Sequence, residues 1–358
     1  MEYLSVKQTV VLIVMIQVGV GILSLPASVA AEANNLGWVS VLLAGVIVQL
    51  AAVLYHISLK NIQEPTVFLF MEKRIGRLLT GLLVVALAIY FLLTSGILLR
   101  SFVELLHIWV YTETPRIMLV LLIFIPIVYL ATGSITSLSN VSSFIIFLVI
   151  FLLSMLLFHL KQAQFVLLDP ASGITMMDLL RGSLQTSLAL IGFELIIFFH
   201  FYLKEKKRTL IVLTVSNWIT VSCYTFVTFI AMLTYSAEKL EKEVWPTLSL
   251  YKLIELHIIQ RLEFFIVMVW TPLMLITTGL YLWAFIKSIR YILPKRLNRL
   301  CVSLSLAVPV IALIPKTQPE VLTYSNEIGY IGIVISMVFP FILLLVKGMQ
   351  VKGKEASV

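Results

Sequence analysis

Apolar stretches of about twenty residues follow one another along almost the whole chain, separated by short polar links. An α-helix rises 1.5 Å per residue, so about 20 such residues cross the roughly 30 Å hydrocarbon core of a bilayer. The stretches lie near 10–31, 38–59, 78–110, 117–133, 141–160, 183–203, 210–235, 264–285, 300–314 and 328–346. They predict an all-α polytopic membrane protein with ten transmembrane helices in a single domain over residues 1–358. Only 12% of the residues are charged, against about 25% in a soluble domain, which leaves too little polar surface to face water.

The formal charge of +8 does not point to nucleic acid, because the basic residues sit between apolar stretches and not along one face. With the N-terminus in the cytoplasm, Lys60, Lys73, Arg74, Arg77, Lys204, Lys206, Lys207, Arg208, Lys287 and Arg290 all fall inside. That bias places both termini on the cytoplasmic side and requires an even number of spans. The long first apolar run passes directly into further spans, unlike a cleavable signal peptide. Cys223 and Cys301 lie alone in apolar runs, and His56, His107, His159, His200 and His257 form no i, i+4 pair. No metal, cofactor or catalytic set is therefore indicated. The longest link, 236–261, places Leu248, Leu250, Leu253, Ile254 and Ile258 among Lys252, Glu255 and His257, the pattern of an amphipathic surface helix.

Two stretches carry residues that a simple spanning helix does not need. The first reads Gln17, Val18, Gly19, Val20, Gly21, Ile22, Leu23, Ser24, Leu25, Pro26, where two glycines and a proline mark a helix interruption or a close-packing surface for a neighbour. The sixth reads Ile191, Gly192, Phe193, Glu194, with a carboxylate in mid-span. An acid there costs about 2.5 to 3.5 kcal/mol on insertion scales, so it is paired, kept neutral or used. Glu194 is either a structural acid joining spans or a group that orients a ligand amine or responds to protons. Spans one and six are five apart, so breaks in both occupy corresponding positions if the chain is two five-span halves, about 1–160 and 183–346, of opposite topology. That pattern points to a ligand site at the membrane midplane. There, amides at a half-helix N-terminus take a ligand carboxylate, while unwound carbonyls take its ammonium.

At these residues the chain resembles the amino acid/polyamine/organocation transporter superfamily, through the first-span run from Gly19 to Pro26 and the sixth-span Gly192, Phe193 and Glu194. Within it, the chain is similar to the spore germinant receptor B subunits, the GerAB-like spore germination proteins. Asn34, Asn35, Leu36, Gly37 and Trp38, the basic run Lys204 to Arg208, Trp245 to Ser249, and Tyr324, Ser325, Asn326, Gly329 and Tyr330 carry that similarity over nearly the whole chain.

The resemblance implies a LeuT-like fold, a 5+5 inverted repeat with spans one and six discontinuous. It also implies a nutrient receptor subunit of the spore inner membrane that binds an amino acid or similar small germinant. Its partners would be a larger membrane A subunit and a lipoprotein C subunit. The ligand would meet Gly19, Gly21, Ile22 and Leu23 in span one and Ile191, Gly192, Phe193 and Glu194 in span six. Thr94 of span three and Thr277 of span eight are hydroxyls among apolar neighbours that either reach the ligand or bond their own helix. A proton- or cation-coupled amino-acid transporter is the other function this pattern allows. Arg100 and Glu104 have the spacing of an ion pair within one helix.

Overall fold

A computed structural model describes residues 2–19, 21–169, 173–254, 262–293 and 303–349, and the described chain is almost entirely helical. The first helix, α1 (Val6–Gln17), starts on a capping box: Gln8 N–H donates to Ser5 Oγ (3.2 Å) and Ser5 N–H to Gln8 Oε1 (2.9 Å). After a gap come α2 (Gly21–Ala33) and α3 (Gly37–Leu59), separated where Asn34 takes a φ of 50° and leads into a short 3₁₀ turn. Next follow α4 (Val67–Ile75), α5 (Arg77–Trp109), α6 (Arg116–Thr132) and α7 (Ile135–Met155). The second half has α8 (Met176–Ala189), α9 (Ile196–Tyr202), α10 (Thr209–Thr234), α11 (Ala237–Lys242), α12 (Pro246–Lys252), α13 (Leu262–Ile292), α14 (Ala307–Ala312) and α15 (Gln318–Gly348).

Six stretches are long and apolar enough to cross a membrane: Gly21–Leu59, Arg77–Trp109, Ile135–Lys161, Lys206–Thr234, Phe264–Ile292 and Gln318–Gly348. Met176–Ala189 and Phe193–Tyr202 pass the same test together but are bent by 49°. Val6–Gln17, Arg116–Thr132 and Ser303–Ala312 are apolar but shorter. Length and apolarity alone thus reach six or seven spans, because breaks and short helices divide what hydropathy reads as ten runs. The exposed faces are themselves apolar, with Ile125, Leu122 and Tyr129 of α6 and Phe144 and Phe147 of α7 all open, as lipid-facing surfaces require. The protein is a multi-pass membrane protein.

Burial orders the helices from centre to rim. Of the apolar windows in α13 and α5, 67% and 56% are buried, against 28% in α15. Those two helices pack on each other through the middle of the molecule, with Trp270, Trp283, Phe91 and Phe102 enclosed. Polar ties hold the surrounding helices. Gln49 donates to Thr214 (2.8 Å) and Asn217 to the Gly45 carbonyl (3.0 Å), joining α3 to α10. At the chain start, Leu4 pairs with the segment after α9, its N–H donating to Tyr202 O (2.7 Å) and its carbonyl accepting from Lys204 N–H (3.0 Å).

Two local expectations change. The helix of the sixth run starts at Met176, seven residues before the apolar run, because Thr175 and Asp178 form a capping box there. The 33-residue α5, by contrast, keeps the length of the long run 78–110 and, at about 50 Å, exceeds the roughly 30 Å hydrocarbon core. Residues 236–254 are not one amphipathic surface helix. Pro246 starts a second short helix, and Leu248, Leu250 and Tyr251 are buried against the bundle. Tyr251 donates to Leu152 O (2.9 Å) and His159 meets Leu250 O (3.0 Å). Ile258, Glu255 and His257 lie outside the described residues, as do 294–302 at the start of the ninth apolar run.

Candidate functional site

Where α1 stops, the backbone ladder fails in a definite way. Val18 N–H still donates to Val14 O (2.8 Å), but Gly19 N–H turns back to Gln17 O (2.8 Å), so Met15 O loses the donor that a continuing helix would supply. Thr277 of α13 replaces it, its hydroxyl donating to Met15 O (2.8 Å) and lying 3.0 Å from Leu273 O of its own helix. In α2, Pro26 has no N–H, which frees the carbonyl of Ile22, and Thr247 of α12 donates to that oxygen (2.8 Å).

The second interruption lies between α8 and α9. Leu190 N–H closes the last turn on Thr186 O (3.0 Å), and the chain then turns at Gly192, whose φ of 125° disfavours any side chain. A Cβ there would also collide with Ile16 of α1. The carbonyls left at this end are taken by side chains. Gln17 Nε2 donates to Leu190 O (2.8 Å), and its Oε1 accepts from Thr220 (2.9 Å). Tyr224 of α10 donates to Gln17 O (2.6 Å) and lies 3.2 Å from Ala189 O, so one hydroxyl spans both interruptions. The two ends approach so closely that a Cβ on Gly21 would come within 2.9 Å of Ala189 Cβ.

Between these ends opens a cavity of about 430 Å³. Gly19, Gly21, Ser24 and Ser28 line one side, with Tyr90, Thr94 and Ser101 of α5, Gln185, Leu188 and Ile191 around the second break, and Thr277 and Tyr281 of α13. Ser325, Asn326 and Gly329 of α15 complete the wall, and Ser325 Oγ lies 3.2 Å from Ser101 Oγ. The charged side chains in the lining are Glu104 and the run Glu241, Lys242, Glu243, which with Trp245 belongs to the α11–α12 region. Glu104 also lines an adjoining open recess with His107, Arg116 and Lys316. Its carboxylate is gripped by Arg116 of α6 at 3.0 and 3.1 Å and approached by Arg100 at 3.0 Å. The Arg100–Glu104 pair is thus present, but it is buried and shared with a second arginine.

Of the residues singled out from sequence, Gly19, Gly21, Thr94, Ile191 and Thr277 line the cavity, while Ile22, Leu23, Gly192, Phe193 and Glu194 do not. Ile22 and Leu23 are enclosed in the core, and Phe193 packs edge-on against Tyr55. Thr94 donates to Tyr90 O (2.8 Å), so its hydroxyl proton is committed to its own helix. Glu194 sits behind the wall, 1% exposed, and accepts four hydrogen bonds. These come from Tyr90 (2.9 Å), Tyr281 (3.2 Å), Ser336 (3.2 Å) and Gly192 N–H (2.7 Å). Tyr90 and Tyr281 separate it from the cavity. Gln17, Tyr90, Tyr224 and Tyr281 were not singled out, since a lone Gln or Tyr within an apolar run carries no periodic signal. Among the described residues, no three His, Cys, Asp or Glu converge as a metal site.

Solved structures share this architecture. A mutant manganese transporter of Eremococcus coleocola superposes with a TM-score of 0.62 at 12% identity, covering 98% of this chain and 81% of that one. MhsT in complex with L-phenylalanine superposes with a TM-score of 0.54 at 14% identity, covering 96% and 99%. At those identities the likeness is one of fold, that of the LeuT-like transporters. In sequence, the chain is 22% identical to spore germination protein GerQB of Bacillus cereus, over 95% of this chain and 94% of that protein. It is 24% identical to spore germination protein A2 of Bacillus subtilis, over 97% and 96%. The family described as spore germination protein matches residues 3–321, and the chain belongs to that family.

Proposed function

We propose that this chain is a nutrient germinant receptor subunit of bacterial spores that binds an amino acid or similar small germinant between its two helix interruptions. The observation that carries the reading is the cavity itself: two broken helices meet on a space lined mostly by backbone, hydroxyls, amides and apolar side chains, with Glu104 and the charged run 241–243 as its charged groups. Such a lining suits a zwitterion held by helix-end groups, with an uncharged side chain against Ile97, Leu188 and Ile191. Gly19, Gly21, Thr94, Ile191 and Thr277 are the contacts, while Ile22, Leu23, Gly192, Phe193 and Glu194 shape the walls that carry them. MhsT, which shares the fold, is described with L-phenylalanine bound, which supports a ligand of this class.

In this reading the chain is a single domain of ten spans, two inverted halves of about 1–160 and 183–346 with spans one and six discontinuous. It lies in the spore inner membrane with both termini on the core side. It acts without catalysis, alongside a larger membrane A subunit and a lipoprotein C subunit. A germinant can shift the bundle only by binding one conformation better than another, and that difference is what the partners receive.

Spores carrying this receptor with Gly19→Ala test the assignment. A Cβ at Gly19 meets Thr277 Cγ2 at 3.5 Å, an ordinary contact, so the chain should accumulate normally while the added methyl intrudes on the cavity. The germinant concentration for half-maximal response is expected to rise about tenfold, the equivalent of roughly 1.4 kcal/mol. An unchanged dose response at equal abundance would sink the site. A second reading, a proton- or cation-coupled amino-acid transporter, is favoured by the transporters that share the fold. Sustained, gradient-driven amino-acid uptake by this chain alone in liposomes would replace the receptor reading with it.

A further inference from the structure

In transporters built on broken helices, the carbonyls left at half-helix C-terminal ends and in unwound backbone are the groups that coordinate a coupling cation. At the ends of α1 and α8 four such carbonyls can be followed one by one. Met15 O accepts from Thr277, Gln17 O from Tyr224, whose oxygen also lies 3.2 Å from Ala189 O, and Leu190 O from Gln17 Nε2. In a continuing helix they would accept from the N–H groups four residues on. Gln17 O also keeps Gly19 N–H, but without these side chains Met15 O would lack the donor a continuing helix supplies, and a buried carbonyl so placed draws in an ion or a water.

We infer that Tyr224, Gln17 and Thr277 take the place of a coupling cation, so that the chain's own hydrogen-bond donors join the two helix breaks and the site works without sodium.

The geometry supports this at each donor. Tyr224 is fully enclosed, and its oxygen, 2.6 Å from Gln17 O and 3.2 Å from Ala189 O, fills the space between the two breaks that an ion bridging them would need. Gly21 is held close to the same hydroxyl, where a Cβ would come within 3.3 Å of it, so the space does not widen on that side. The Gln17 amide is fixed in orientation, because Leu190 O can only accept and Thr220 supplies a donor to the other end. A cation in the same place would need several oxygens turned toward it, whereas these carbonyls are already turned toward protons. The consequence bears on function: a site joined by fixed donors responds to ligand concentration alone, as a sensor must, and a sodium gradient has nothing there to act on.

The test uses cations with no amino acid present, so its failure leaves the germinant reading standing, and failure of that reading leaves this one standing. Thermal unfolding of the purified full chain is followed in sodium, potassium and choline chloride at equal ionic strength. The wild-type Tm is expected to be the same in all three, and a saturable rise with sodium would overturn the inference, since it would report a bound ion. Tyr224→Phe removes the shared donor and nothing else. In choline its Tm is expected to fall by about 4 °C, as loss of one buried hydrogen bond predicts, with part of the loss restored by sodium. A Tyr224→Phe chain as stable as wild type in every salt would show that the hydroxyl joins nothing, and would equally overturn it. If that variant does not fold, the wild-type comparison still decides.

Discussion

The two helix interruptions face each other across one cavity, yet their exposed groups are satisfied in different ways. At the first, partners come from elsewhere: Thr277 from α13, Tyr224 from α10 and Thr247 from α12 each supply one hydroxyl, and Gly19 and Gly21 are left against the cavity. At the second, Gln17 likewise donates to a freed carbonyl, that of Leu190, but the chain also carries its own acceptor. Glu194 takes the N–H of Gly192 two residues back and gathers hydroxyls from α5, α13 and α15 behind the wall. One break is therefore held by single bonds from three separate helices, and the other has a buried hub behind it as well. That division assigns adaptability to the first break and anchoring to the second.

If the hub anchors, removing it has the largest effect on stability. Glu194→Ala leaves three hydroxyls and an amide without their acceptor in the interior, and a loss of about 3 kcal/mol or more is expected, seen as a low Tm or poor accumulation of the purified chain. Glu194→Gln retains one acceptor oxygen but turns an amide NH2 toward donors, so its loss should be smaller, about 1 to 2 kcal/mol. Equal stability of Glu194→Ala and wild type would show that the cluster anchors nothing.

Gly192→Ala comes next. The backbone there has a φ of 125°, costing an L-residue about 1 to 3 kcal/mol, and the new methyl would press on Ile16. Combining it with Ile16→Ala separates the two causes: relief of the clash should make the pair less than additive, while backbone strain would persist. Strict additivity in unfolding measurements would show that the two breaks do not press on each other here.

How much of this was legible before the structure depends on dimension. Hydropathy is a property of the chain in one dimension, so the apolar runs located most helices to within a few residues, and Gly19 with Gly21, and Gly192 beside Glu194, marked where the helices stop because glycine acts on its own backbone. Which side chains face the cavity is a property of helical rotation. Gly21, Ser24, Leu25 and Ser28 follow the i, i+3, i+4, i+7 face and all line it, whereas Ile22 and Leu23, neighbours in sequence, point 100° and 200° away into the core. Thr94 and Tyr90 share a face of α5 in the same way. Tyr224 and Tyr281 were not legible at all, because a tyrosine in an apolar run reads as packing until its partner, here a carbonyl or carboxylate almost ninety or more than two hundred residues away in the chain, is known.

The smallest expected effect is a discriminating test of the comparison, since it sets two glycines of the first break against each other. Gly21 and Gly19 are two residues apart, and both line the cavity. A methyl at Gly21 would meet Ala189 at 2.9 Å for its Cβ and 3.2 Å for its Cα, and backbone cannot step aside as a side-chain end can. Gly21→Ala should therefore force α8 away and cost about 1 to 2 kcal/mol. At Gly19 the nearest atom is a threonine methyl at 3.5 Å, and the substitution should change stability by less than about 0.5 kcal/mol. If both variants unfold at the same temperature, the backbone at Gly21 is no more tightly packed than that at Gly19. If they differ in this direction, the close approach is at Gly21 and the tolerant, ligand-facing backbone is at Gly19.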